Sequence, residues 1–302
     1  MTTSKTPRSV LITGATGNLG QKMVEALART SWCERIVGID RHVDQARFSA
    51  EALSRLHLIQ GDLTQAQGAW REGFRDVDAV IHFAAANPLP DSTWEEAMAS
   101  CDMTLNLLQA SLDHSVKRFV FASSNHAMGA YKDQPLAADM GPGRLTTDLP
   151  PAPGTRWFDG SREVHSFAYG SSKIMSEKLC ATVAQASGGA LSCVSVRVGW
   201  VLPGANDPRD ITHSGAPSST ASLDSLNDEE RRTLRWFRDL WLSNDDLHNL
   251  FIAALCADAA TWPAAAVVVN GVSANAGTVW DLQSARDCLG YEPVDDVYRQ
   301  LA

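Results

Sequence analysis

No stretch of the 302-residue chain approaches the roughly 20 consecutive apolar residues that a membrane span requires. Nor is there an excess of basic residues. Against 35 Asp and Glu stand 26 Lys and Arg, a formal net charge of −9. That balance argues against nucleic acid or an anionic membrane as partner, because both select positive surface. The six cysteines (Cys33, Cys101, Cys180, Cys193, Cys256 and Cys288) include no C-x-x-C pair, and neither His nor Cys gathers at metal-ligand spacing. The polar start MTTSKTPRSV runs directly into a strand-like segment and leaves no room for the apolar stretch of a secretory leader. Internal repeats and coiled-coil heptads are also lacking. The expectation is a metal-free, thiol-reduced protein of the cytoplasm.

What the chain does have is alternation. Short β-branched apolar runs, SVLITG, ERIVGID, LHLIQGD, DAVIHFAA, KRFVFASS, SCVSVRVG and AAVVVNG, are separated by longer amphipathic stretches. This pattern predicts an α/β fold with a doubly wound parallel sheet covered by helices on both faces. Two segments break the rhythm. Residues 130–168 and 203–228 are rich in Pro, Gly, Ser and Asp without periodicity, and loops that long inside a compact domain are commonly functional.

Directly after the first run comes TGATGNLGQKMVEAL, with Gly14, Gly17 and Gly20 where a strand turns into a helix. Glycines there let the backbone turn tightly and approach a pyrophosphate at the helix N-terminus. The second run ends at Asp40, 20 residues beyond Gly20. An acid in that place accepts hydrogen bonds from the ribose hydroxyls of NAD and repels the extra phosphate of NADP, although the adjacent Arg41 offers that phosphate a charge. Asp62 after the third run fits either the adenine side of the same ligand or a helix cap. Thr16, Asn18, Leu19, Leu63, Ala84 and Ala85 complete the candidate cofactor set. On this reading the chain is one domain. Residues 1–200 and 244–272 form the main NAD-binding core, and residues 130–168, 203–243 and 273–302 form a small substrate-binding region or lid.

In SFAYGSSKIMSEKL, Tyr169 and Lys173 stand four apart and share one face of a predicted helix. Alone, that spacing equally suits an amphipathic helix with a solvated lysine. Together with the glycine turn, Asp40, GDL, HFAA, FASSNHAMG and the Glu177 that follows the pair, it resembles the extended short-chain dehydrogenase/reductase family, which includes sugar-nucleotide epimerases and dehydratases. The resemblance implies Ser124 steadying the reacting oxygen, Tyr169 as acid/base and Lys173 holding the nicotinamide ribose. A nearby cation is expected to lower the phenol's pKa from its free value of about 10.

FASSNHAMGAY and the C-terminal stretch from VVVNG to PVDD look like the uronate dehydrogenases of this family, which oxidise glucuronate or galacturonate with NAD. That likeness implies Asn125 and His126 at the sugar and a basic residue, Arg235 or Arg238, on its carboxylate. Three positions depart from the family pattern: Ser100 replaces an asparagine, Trp200 a small polar residue, and Asn87, kept as a substrate candidate, a serine. The expected activity is NAD-dependent oxidation of a uronate or related polar sugar. The alternatives are an epimerase or dehydratase that retains its NAD and a regulator that senses NAD without turnover. The likeness also implies a homodimer formed through the helices carrying Asn106 and Lys173.

Overall fold

The computed structural model describes residues 6–159, 161–214 and 223–302. Residues 215–222 of the second irregular segment therefore lie outside the described residues. Seven strands, β1 (Ser9–Thr13), β2 (Arg35–Asp40), β3 (Leu56–Gln60), β4 (Ala79–His82), β5 (Arg118–Ser124), β8 (Ser192–Val198) and β9 (Ala266–Gly271), form one sheet in the order β3-β2-β1-β4-β5-β8-β9. Every pairing in it is parallel, as the seven apolar runs predict.

Because side chains alternate along a strand, each strand feeds both faces. Val10 and Ile12 of β1 enter one buried cluster and Leu11 the other. The first cluster is closed by α1 (Asn18–Ala28), α6 (Asn244–Cys256) and α7 (Gln283–Leu289), and the second by α3 (Trp94–Asp113) and α4 (Phe167–Ala186). The sequence starts these helices with clear signals: Thr93 and Glu96 form a reciprocal capping box on α3, and Ser243 caps α6. A short α2 (Ala50–Leu53) precedes β3.

Beyond the carboxyl ends of the strands sit the pieces that the alternation does not explain. Residues 130–168 include an antiparallel hairpin, β6 (Arg156–Phe158) and β7 (Glu163–His165). Phe158 N donates to Ser214 O, which joins the hairpin to the second irregular segment. Near the C-terminus, α5 (Asp228–Asp239) and α8 (Val297–Leu301) are drawn together by Tyr298, whose hydroxyl donates to Asp239. Asp246 of α6 accepts from the backbone N–H groups of Val294 and Asp295 and fixes the C-terminal stretch to the core. All six cysteines are free thiols. Among the described residues, no helix is long and apolar enough to cross a membrane and no His, Cys, Asp and Glu group is placed to hold a metal.

Candidate active site

A single cleft of about 840 Å³ runs along the carboxyl ends of the strands, from Gly14, Gly17 and Asp40 at one end to Ser124, Tyr169 and Trp200 at the other. At its first end the chain must reverse tightly after β1. Gly14 does so with φ +67, where a side chain is strained, and a Cβ there would also meet Ala84 N at 2.9 Å. A Cβ on Gly20 would stand 2.0 Å from Gly14 O, so this glycine lets α1 press against the turn. Gly17 begins α1 with no side-chain cap, and the first turn carries no acid. The helix start therefore presents uncapped N–H groups and its positive dipole end to the cleft, which fits a pyrophosphate.

Asp40 is held at the rim by hydrogen bonds from Thr16 N (3.0 Å) and Arg41 N (2.7 Å). A carboxylate offers about four lone-pair positions, so capacity remains for a ribose diol. Asn18, Leu19, Leu63, Ala84 and Ala85 line the cleft, and so do Arg41 and His42 beside Asp40. Thr16 does not. Its backbone N–H positions Asp40, and its hydroxyl donates to His42 O. Asp62 turns to Thr64, accepting from its N–H (3.0 Å) and hydroxyl (2.7 Å), and these bonds hold the carboxyl below its usual range. No helix starts at Asp62, since the next one begins at Ala69 after Gly68, so the carboxylate closes a local turn onto Thr64.

At the other end, β5 delivers Ser124 and the start of α4 delivers Tyr169 and Lys173. Ser124 and Tyr169 both line this end, and Ser124 acts on the phenol's acidity. Lys173 Nζ donates to Ala122 O (2.9 Å) and lies 5.4 Å from the centre of the Tyr169 ring. Burial brings the lysine down to about 8, so it is mostly charged at neutral pH. The expected lowering of the phenol is not what the site has. Burial pushes Tyr169 up, and Ser124 opposes that rise.

His126 stands edge-on to the Tyr169 ring (centroids 5.5 Å, 82°), with Nδ1 2.7 Å from Ser166 Oγ. Asn125 lines the same end, but its Nδ2 is committed to Val198 O (3.1 Å). Burial lowers His126 to about 4 and lowers His82, set between Thr13 and Thr104, to about 3. Both are therefore neutral in the folded protein at pH values where the unfolded chain, with an imidazole pKa of about 6.5, already binds protons. Their stability contribution is complete above that value and is lost as the pH falls through about 6.5 toward 4 and 3. Thermal melts are expected to show a falling Tm across that window, with a shallower fall in His82→Gln. An unchanged slope in the variant would show that His82 does not drive it.

The structure does not bring the other substrate candidates to this end. Asn87 is bent back on its own loop, donating to Glu96 (3.2 Å) and accepting from Leu89 N. Arg235 Nη2 donates to the carbonyls of Ala276 and Gly277 (3.3 Å each), and its Nε is 3.7 Å from Asp239. Arg238 lines a separate cavity of about 250 Å³ with Leu226, Leu234 and Tyr298. The reason is the face of α5 that each residue occupies. Phe237, with Leu240 just past the helix end, turns to the cleft, while Arg235 and Arg238, one turn apart, look toward the C-terminal segment. Arg209 pairs with Asp207 and donates to Gln300 O. Ser100, where the family pattern has an asparagine, receives Ala86 N (3.0 Å) and steadies the loop after β4.

In their place, Trp157 of the hairpin, Trp200, Phe237 and Leu240 wall the substrate end, and the exposed Asp91 lies at its lip. Trp200 packs edge-on against Phe237 (5.5 Å, 78°). Trp157 and Phe237 were not singled out in the sequence. A three-residue strand has no readable period, and an aromatic on an amphipathic helix reads as core.

Residues 10–214 match the model of the NAD dependent epimerase/dehydratase family. The chain belongs to that family. It is an NAD-dependent oxidoreductase, and the glycine cradle with Asp40 is where NAD fits. The chain is 29% identical over 294 residues to L-arabinose 1-dehydrogenase (NAD(P)(+)) of Haloferax volcanii, covering 95% of this chain and 96% of that one. It is 28% identical over 303 residues to a uronate dehydrogenase of Pseudomonas syringae pv. tomato, covering 98% and 86%. A solved structure of a mutated uronate dehydrogenase superposes with a TM-score of 0.67 at 25% identity, covering 97% of this chain and 84% of that one.

Proposed function

We propose that the protein oxidises a hydroxyl-bearing ring carbon of a neutral sugar. NAD, when bound, accepts the hydride from that carbon. Tyr169 takes the hydroxyl proton, Ser124 orients the oxygen through its hydroxyl, and Lys173 supplies the positive field and a donor for the nicotinamide ribose. The carbon–hydrogen bond and the O–H bond break as the C=O forms, so the electron pair and the proton both have acceptors.

The observation that carries the choice of a neutral sugar is the lining of the substrate end. Its walls are Trp157, Trp200, Phe237 and Leu240, and an acid, Asp91, stands at the lip. Among the described residues no guanidinium lines it, since the cleft's one arginine, Arg41, is beside Asp40. A buried substrate carboxylate without a cationic partner is costly, because taking a charge out of water is repaid only when the charge is paired. The arabinose-type relative supports the same direction.

The test is NADH formation on L-arabinose, D-galactose, D-xylose and D-glucose, set against galacturonate and glucuronate. Neutral sugars are expected to give the higher kcat/KM, and Arg235→Ala and Arg238→Ala are expected to leave the KM for sugar unchanged. A preference for uronates, or a uronate KM raised about tenfold by either arginine variant, sinks the neutral-sugar reading. NADH that stays bound and is never released sinks the dehydrogenase in favour of an epimerase.

A further inference from the structure

We infer that Trp157 determines specificity, stacking its ring on the substrate and donating its indole N–H to a substrate oxygen. This inference rests on the sugar-oxidising reading of the cleft. Three observations carry it. Trp157 lines the catalytic cleft together with Trp200, Phe237, Ser124 and Tyr169. Its Nε1 is buried and has no acceptor among the described residues. Buried indole N–H groups usually find a partner, and leaving one unpaired is costly, so a ligand oxygen at that position relieves a cost the free protein carries. An orphaned indole alone would not suffice: Trp236 and Trp280 also have buried, unpaired Nε1 atoms, but they pack on each other (5.6 Å) away from the cleft.

The third observation is that the hairpin carrying Trp157 is rooted in the catalytic machinery. Its two ends, Thr155 and Ser166, are fully buried and joined by Ser166 N donating to Thr155 O (3.1 Å). Ser166 Oγ holds His126, and Thr155 lies so close to Gly129 that a Cβ there would be 1.9 Å from its hydroxyl oxygen. Next to Trp157, Arg156 ties three elements together: Asp133 after the Ser124 segment (3.0 Å), Glu163 across the hairpin (2.5 Å) and Glu229 of α5 (2.8 Å). Because strand side chains alternate, Arg156 and Phe158 point away from the face that Trp157 presents. The indole is thus held in register with Tyr169 by its root and with Phe237 by Arg156. A few well-placed polar groups in an apolar pocket are what fix a ligand's orientation.

The experiment compares wild type, Trp157→Phe, Trp157→Ala and Trp236→Phe on the four neutral sugars above and on the monodeoxy forms of D-galactose. Trp157→Phe keeps a ring and loses the donor, so the sugar KM is expected to rise about fivefold, in the range of one neutral hydrogen bond, with the KM for NAD unchanged. Trp157→Ala is expected to raise it further, and Trp236→Phe to leave it alone. One deoxy sugar is expected to be disfavoured by wild type and not by Trp157→Phe, because a site built to bond a hydroxyl discriminates against its absence. That crossed effect is not produced by a merely structural loss. If wild type oxidises the sugars and Trp157→Phe shows the same KM and the same deoxy discrimination, the Trp157 role is wrong and the reading of the cleft stands. If wild type oxidises none of them, the reading fails and the Trp157 role falls with it.

Discussion

Replacing Tyr169 with phenylalanine is expected to lower kcat by about a hundredfold to ten-thousandfold, the range typical of a positioned acid/base group, with NAD binding close to wild type. The substitution keeps the ring that His126 meets edge-on and over which Lys173 lies, and removes only the phenol oxygen. The same variant reports on acidity. Burial holds the phenol above its ordinary value, and the Lys173 ammonium lies 5.4 Å from the centre of its ring. The positive nicotinamide adds to the Lys173 field at the oxygen, so the tyrosinate band of Tyr169 is expected to titrate at lower pH with NAD bound than without it. The chain has four tyrosines, so the signal is the difference between wild type and Tyr169→Phe. Turnover near wild type in the variant would reduce Tyr169 and Lys173 to a buried tyrosine and a structural lysine.

The seven sheet strands were legible because each is a short β-branched run in a parallel sheet buried on both faces, which leaves little ambiguity of period. The glycine turn was legible for a similar reason. Its conformations and close approaches exclude other residues, so the fold writes them into the sequence. What was not legible depends on which way a side chain turns. Arg235 and Arg238 carry the right chemistry for a carboxylate, and their spacing puts them on one face of α5. Which face meets the cleft is decided by Phe237 packing on Trp200 and by Tyr298 drawing α8 onto Asp239. Asp62 was open between ligand and cap because both uses need an acid after a strand, and the structure has no helix there but a turn in which Asp62 accepts two bonds from Thr64.

The substrate end repeats that lesson with an aromatic residue. Trp200 stood out as a departure from the family pattern before any geometry was known, and it does wall the cleft. Its neighbour Trp157 gave no signal, since the segment around it is rich in Pro and Gly and its strand spans three residues. The hairpin that carries it is joined to the second irregular segment, where Phe158 bonds Ser214, and the first irregular segment meets the C-terminal stretch, where Leu145 bridges Trp280. Specificity in such a site is set by the parts with the weakest sequence patterns, whereas the cofactor half is set by the strongest.

Arg197→Met is expected to destabilise the protein by about 3–5 kcal/mol, because it strands a buried carboxylate. Arg197 of β8 and Glu177 of α4 have side chains 2% and 5% exposed. They meet through two bonds of 3.0 and 2.9 Å, and Ser123 donates to the same carboxylate at 2.6 Å. A buried pair of this kind is not by itself evidence of net stabilisation, since both charges leave water; the damage comes from removing one partner. Pairing Arg197→Met with Glu177→Leu is therefore expected to recover most of the loss, read as the denaturant midpoint of each variant at constant slope. The pair sits one turn beyond Lys173, and the Glu177 charge is one of the influences that raises that lysine against its burial. Without Glu177 the lysine falls below about 8, so the double variant is expected to fold yet to lose activity at a lower pH on the alkaline side than wild type. If Arg197→Met alone is as stable as wild type, α4 is held to the sheet by packing and the ion pair does not fix the position of Tyr169 and Lys173.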